Sequence, residues 1–222
     1  MVGCGKRKDI FMSNFIYVTK NEWKPVKQEI IEMINEVQDI VRNDFTFRFD
    51  FIGSVPLNMV TQDLDSNVGY DFDINIRVND EEENYNAKEI KHILMNAFNQ
   101  VVRNYGYSYC EDNTRVFTIK SINHYQSKII HSCDFAVVND CEDGRQQYIR
   151  HNKNQNSYYW EYQPYGFNLE QKIEWLKANK LWDEVKGRYL DKKDTNTIPT
   201  KKSRSLRAET INEVCNENGY IE

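Results

Sequence analysis

The 222-residue chain has no apolar run near the ~18 residues that a membrane-crossing helix requires, and no signal-peptide core follows its basic N-terminal residues. It lacks a cysteine framework. Five cysteines, odd in number and scattered without a Cys-x-x-Cys pair, speak against a disulfide scaffold and a zinc knuckle, and predict a reducing cytoplasm as its home. The four histidines (His92, His124, His131, His151) have no ligand spacing such as His-Glu-x-x-His, and no cysteine has a positioned partner for thiol catalysis. Basic residues do not dominate: 29 Lys and Arg face 34 Asp and Glu, so no global charge draws the chain to a phosphate backbone. "GCGK" at Gly3 to Lys6 lacks the spacing and the preceding strand of a phosphate loop and is expected to be a flexible terminus. No internal repeat is visible.

What is present suits a folded domain with a helical appendage: 40% apolar and 28% charged residues, over a length able to bury a sizeable core. Apolar residues at helical spacing predict a helix over 25–41, opened by Pro25 in its first turn. "FTFRFDFIGS" alternates four phenylalanines with polar residues, a half-buried strand ending at Gly53-Ser54. A short helix is expected over 56–61, then a polar loop with Asp63, Asp65, Ser66 and Asn67. A second strand, "YDFDINIRV", precedes a helix over 87–105. "TRVFTIKSI" and "KIIHSCDFAVV" read as two more strands. The polar, aromatic stretch 141–167 reads as a connector packing on the sheet. Asn168 with Gln171 forms a capping-box pattern opening helices over 169–179 and 181–192. After a loop with Pro199, a last helix over 203–218 is stopped by Gly219. The expected divisions are an N-terminal segment 1–24, a core 25–140, the connector 141–167 and a helical region 168–222.

In a strand, Asp71, Asp73, Asn75 and Arg77 share one face, while Phe72, Ile74, Ile76 and Val78 share the other. The apolar face can pack a core. Two ionised carboxylates two residues apart repel, and taking them from water is costly without a cation or hydrogen bonds. A hard oxygen-seeking cation such as magnesium, with manganese as a substitute, answers that need. Asp134 has the same setting, an acid between Cys133 and Phe135 in an apolar strand. Three strand-borne carboxylates can hold two metal ions, the arrangement that clamps the attacking and leaving oxygens of an in-line phosphoryl displacement.

A strand ending in Gly-Ser, a strand with two acids alternating with apolar residues (Tyr70 to Ile74), and a later strand with one acid (Cys133 to Phe135) together resemble the nucleotidyltransferase superfold of the DNA polymerase beta type. That superfold includes antibiotic and minimal nucleotidyltransferases, poly(A) polymerases, and the oligoadenylate and cyclic-dinucleotide synthases. The resemblance covers residues 26–138. It implies an α/β fold of the α+β kind, a mixed sheet with helices packed on one face, followed by a short helical tail. It implies a magnesium-dependent transfer of a nucleoside monophosphate from a nucleoside triphosphate to an acceptor hydroxyl, with pyrophosphate released. Asp71 and Asp73 would bridge the two ions, Asp134 would serve the acceptor's ion, and Gly53 and Ser54 would sit against the triphosphate. The sixteen residues between Ser54 and Asp71 exceed the family's usual interval, which a loop insertion accounts for.

Asp63 and Asp65 lie nearer the Gly-Ser step, but Gln62 and Ser66 flank them, so they read as a solvated loop or a lid. Arg150, His151 and Lys153, interleaved with Tyr158, Tyr159, Trp160 and Tyr162, can stack a base and neutralise phosphate, or serve as packing for the helical region. Lys192, Lys193, Lys201, Lys202, Arg204 and Arg207 read as a solvated face or as a holder of triphosphate or a nucleic-acid acceptor. The alternatives in function are a catalytically silent nucleotide-binding module and a metal-dependent phosphodiesterase using the same carboxylates. The acceptor is expected among small molecules, proteins and RNA ends, with no membrane partner; the preferred base and the oligomeric state are left open.

Overall fold

A computed structural model describes residues 14–80, 83–164, 169–198 and 200–221. The expectations for the N-terminal Gly-Cys-Gly-Lys, for the Asn168 cap and for Pro199 lie outside these residues. The described residues divide into two compact units, one within 17–62 and 67–164, the other of 14–16, 63–66 and the C-terminal residues from 169.

The first unit is built on a seven-stranded mixed sheet. Helix α1 (Lys20–Val41) leads into β2 (Thr46–Ile52), following the short β1 (Phe15–Tyr17). After β3 (Thr61–Asp63), β4 (Tyr70–Asn79) lies antiparallel to β2. The chain then crosses over through α2 (Ala87–Val101), a 3-10 turn, β5 (Glu111–Asp112) and β6 (Phe117–Asn123). It returns as the long β7 (Lys128–Asp140), parallel to β4 and antiparallel to β6. The far end of β7 pairs with β8 (Gln146–Asn152), and β8 with β9 (Ser157–Tyr162).

The period-two alternation of the strands puts Phe72, Ile74, Ile76, Phe117, Ile119, Phe135 and Val137 on one face, all buried. Against them lie Ile30, Met33, Ile34 and Val37 of α1 and Ile90, Leu94 and Phe98 of α2, each also buried. Burial of each large apolar side chain is worth about 1.5–3 kcal/mol, so this layer holds the sheet and leaves its opposite face to carry polar groups. A mixed sheet with helices on the apolar face is the architecture expected.

Three local readings are corrected. Helix α1 opens at Lys20 rather than Pro25, because the Glu22 carboxylate accepts both the Thr19 N–H (2.9 Å) and the Thr19 hydroxyl (2.6 Å), starting the helix earlier. Pro25 is accommodated inside the helix. Residues 53–58 form turns rather than a short helix, and Thr61–Asp63 is extended. The aromatic stretch read as a connector carries β8 and β9, which extend the sheet. Its backbone groups are satisfied by strand pairing, so a polar sequence with only Tyr148 and Ile149 buried in β8 still runs as a strand.

The second unit contains α3 (Leu169–Ala178), α4 (Trp182–Thr195) and α5 (Ser203–Glu217), around a small core of Leu176, Val185, Ile211, Val214 and Cys215. Ion pairs tie α4 to α5. Lys192 bonds Glu209 at 2.8 Å and Glu213 at 2.6 Å, and Arg188 bonds Glu217 at 2.6 Å. Lys201 also pairs with Glu209. Two members of the late basic cluster, Lys192 and Lys201, are thereby committed to pairing within this unit. No helix among the described residues is long and apolar enough to cross a membrane.

Candidate active site

The polar face of the sheet carries the acids in register. Ile52 of β2 pairs with Asp73 of β4, Asp73 with Asp134 of β7, and Asp134 with Thr118 of β6. The next row joins Asp71, Ser132 and Lys120. Partners on adjacent strands share a face and stand about 4.8 Å apart in the pairing direction, so Asp71, Asp73 and Asp134 lie on one face, on neighbouring rungs of two parallel strands.

Hydroxyls hold two of these acids. The Ser132 hydroxyl donates to Asp71, and the Thr118 hydroxyl donates to Asp134 Oδ1 at 2.5 Å. Burial pushes the Asp134 pKa up and the Asp71 charge adds to that, while the Thr118 hydrogen bond opposes it, with a raised pKa as the result. Lys120, the cation that acts on Asp134, is itself bonded to Glu111 at 2.6 Å.

Gly53 follows the last residue of β2 and adopts φ +70°, the left-handed region that favours glycine. A Cβ there would lie 2.4 Å from Asp73 Oδ2, so the Gly-Ser step and the acid pair occupy the same small space. Ser54 is half-buried in the turn: its carbonyl accepts from the N–H of buried Met59 at 2.9 Å, and Val55 joins the core cluster that contains the sheet's apolar face.

Asp63 accepts the backbone N–H groups of Asn14 (3.2 Å) and Asp65 (3.1 Å), the work of a turn-forming carboxylate, and Asp65 is exposed. Arg77 shares the polar face and is bracketed by Asp50 and by Asp140, the latter at 2.8 Å. A cavity of about 600 Å³ lies at that end of the strands, lined by Gln38, Arg48, Phe49, Asp50, Arg77 and Asp140, and does not include the three acids. His131 occupies the apolar face, as its odd spacing from Asp134 predicts; it bonds the Tyr107 hydroxyl at 2.8 Å, and burial lowers its pKa to about 4.

Sequence reasoning missed Gly69, Ser132 and Thr118. A Cβ on Gly69 would lie 1.8 Å from the Ile130 carbonyl oxygen, so only glycine lets the start of β4 approach β7 that closely. Ser132 stands two residues before Asp134, and Thr118 interrupts an otherwise apolar run. Both could have been found as polar residues at acid-face parity. The donor set of the site, carboxylate and hydroxyl oxygen, suits a hard divalent cation. Among the described residues no group of three or more His, Cys, Asp or Glu side chains is placed so as to hold a metal ion.

No protein-family model matches the sequence, and no curated protein matches it. Solved structures do. The cyclic AMP-GMP synthase DncV of Vibrio cholerae, described as a prokaryotic cGAS homolog, aligns at TM-score 0.55 with 15% identity over 89% of this chain and 54% of that chain. The same synthase in complex with the linear intermediate 5' pppA(3',5')pG aligns at 0.54, with 16% identity over 89% and 52%. Escherichia coli DncV in its 3'-deoxy GTP bound form aligns at 0.51, with 14% identity over 89% and 54%. At this identity the likeness is one of fold, and the chain spans about half the length of the structures it matches. The fold is the nucleotidyltransferase type that the sequence resembles.

Proposed function

We propose that the protein is a nucleotidyltransferase that moves a nucleoside monophosphate from a nucleoside triphosphate to an acceptor hydroxyl, releasing pyrophosphate, with two magnesium ions or manganese in their place. The observation that carries the reading is the register that sets Asp73 opposite Asp134, with Gly53 closed against Asp73. Asp71, Asp73 and Asp134 would hold the ions, Asp134 the one serving the acceptor. Ions bound there would supply a lowered acceptor pKa and positive charge beside the reacting phosphoryl oxygens. The chain's own contribution is orientation. Gly53 lets backbone approach the triphosphate, and the Ser54 hydroxyl and amide donate to oxygens of the leaving pyrophosphate. Ser132 and Thr118 hold Asp71 and Asp134 in place for that chemistry.

The DncV structures include GTP-bound, 3'-deoxy ATP-bound and nonhydrolyzable-GTP forms, which supports a nucleoside triphosphate as the substrate class here. The acceptor is a small molecule, a protein or an RNA end, and the linear dinucleotide in one DncV complex puts a second nucleotide beside these for testing. The test incubates the purified protein with each labelled triphosphate and magnesium, alone and in cell extract. Pyrophosphate release with a labelled acceptor supports transfer. Nucleotide binding without pyrophosphate marks a silent binding module, and cleavage of an added nucleic acid marks a phosphodiesterase; either result rejects the proposal.

A further inference from the structure

Behind Asp134 a second polar cluster continues inward from the acid face. Lys91, buried on α2, forms an ion pair with Asp112 of β5 at 2.7 Å and donates to the Asn113 carbonyl at 2.8 Å. Asp112 also accepts the Tyr158 hydroxyl at 2.6 Å, and the His151 ring stacks on Tyr158 with centroids 4.2 Å apart. The His151 backbone N–H donates to the Thr114 carbonyl at 2.8 Å, so β8, β9 and α2 all grip the turn between β5 and β6. That turn presents Asn113. Its amide nitrogen donates to Thr118 Oγ1 at 3.0 Å, an orientation that the exposed Lys153, with Nζ 3.5 Å from the amide oxygen, favours.

The consequence for Asp134 follows from counting protons. A threonine hydroxyl carries one proton, and a β-branched side chain in a strand has few rotamers. With Asn113 donating to Oγ1, the Thr118 proton is directed at Asp134 Oδ1. We propose that Thr118 and Asn113 are positioning residues that commit one oxygen of Asp134 to the protein and aim the other at the reacting site, with the Lys91–Asp112–Tyr158 cluster locking the turn that carries them. The aromatic stretch of β8 and β9 thereby acquires a role, since His151, Lys153 and Tyr158 hold that turn. The inference rests on Asp134 belonging to the transfer site.

The experiment compares Thr118→Val, Thr118→Ser, Asn113→Ala and the double variant Asn113→Ala/Thr118→Val in the full chain. Groups that orient a ligating side chain are worth about 10- to 100-fold in activity. Thr118→Val is expected to lower kcat by about that factor while KM for the triphosphate stays within about threefold, and Thr118→Ser to recover most of it. Because the two residues act in series, the double variant is expected to be no worse than Thr118→Val alone. Equal losses in the Val and Ser variants, or losses that multiply in the double variant, overturn the proposal. A second readout needs no turnover: the carboxyl-carbon resonance of Asp134 should move in both Thr118→Val and Asn113→Ala, and an unmoved resonance in Asn113→Ala overturns the relay. If wild type releases no pyrophosphate, the transfer reading fails by itself, and the resonance still decides whether Asn113 and Thr118 position Asp134.

Discussion

Asp112 and Asp134 lie in the same sheet on strands separated by β6, joined through Asn113 and Thr118, and the protein treats them in opposite ways. Burial works to raise the Asp112 pKa, but hydrogen bonds from Lys91 and Tyr158 and the Lys91 charge outweigh it, and the pKa is lowered. Burial likewise raises the Asp134 pKa and Asp71 adds to the rise, while the Thr118 hydroxyl and the Lys120 charge only partly offset it. Asp50 and Asp140, farther along the polar face, resemble Asp112, since Arg77 stands between them. A hydroxyl orients a carboxylate without neutralising it. Asp50, Asp112 and Asp140 are each in direct contact with a cationic side chain, whereas the contact made to Asp134 Oδ1 is a hydroxyl, with Lys120 acting on it while bonded to Glu111.

The largest expected effect breaks the structural side of that contrast. Lys91→Met leaves the half-buried Asp112 without its cation and should cost about 3 kcal/mol, the low end for a buried ion pair because Tyr158 still donates to it, read by chemical denaturation. Stability equal to wild type would show that Lys91 does not hold Asp112 in the folded state. Asp73→Asn tests the other side: pyrophosphate release should fall at least about a hundredfold, or ~2.7 kcal/mol in transition-state terms, with the fold intact because a like-charge repulsion is relieved. Asp63→Asn should stay near normal; the reverse pattern in the two variants would put the transfer site at Asp63 and Asp65 instead.

Gly53→Ala sharpens the contrast at the edge of the site. Holding a non-glycine residue at that φ costs about 1–2 kcal/mol, and the added methyl must displace the Asp73 carboxylate. Transfer should drop about tenfold with a modest loss in melting temperature; unchanged turnover would separate Gly53 from the acids. The smallest effect is one of pH. Because the native Asp134 pKa lies above its ordinary 3.8, its contribution to stability is full below that value and is lost as pH rises through the native pKa. Asp134→Asn should therefore melt higher than wild type at neutral pH, with the gap closing below about pH 3.8. Millimolar magnesium should narrow the neutral-pH gap by stabilising wild type alone. Asp112 runs the other way, its contribution present above its ordinary value and lost as pH falls through the lowered native one.

Much of the fold was legible because it is written in local periodicity. The alternation through Tyr70 to Val78 places the acids and the apolar residues on opposite faces, and the last three helices emerge near their expected bounds. The misreadings share a cause. Strands β8 and β9 have few apolar residues at one parity, since their faces are only partly covered, and the pairing of β8 with β7 and of β9 with β8, rather than their own pattern, makes them strands. The supporting residues were hidden for a related reason: Thr118 meets Asp134 across 16 residues, Lys91 meets Asn113 across 22, and Ser132 meets Asp71 across 61. No local pattern encodes a partner at such distances.

What the sequence by itself determined is parity: side chains two residues apart share a strand face, so Asp71 and Asp73 had to lie together, opposite a wholly apolar row that had to be buried. Only the tertiary structure decided that Asp134 stands level with Asp73. A parallel ladder keeps the same face when it slips by two residues, so parity alone cannot choose the rung. The choice belongs to long-range packing, and Gly69, which lies against the Ile130 carbonyl with no room for a Cβ, permits the close approach of β4 and β7 in the register that puts the three acids on one face.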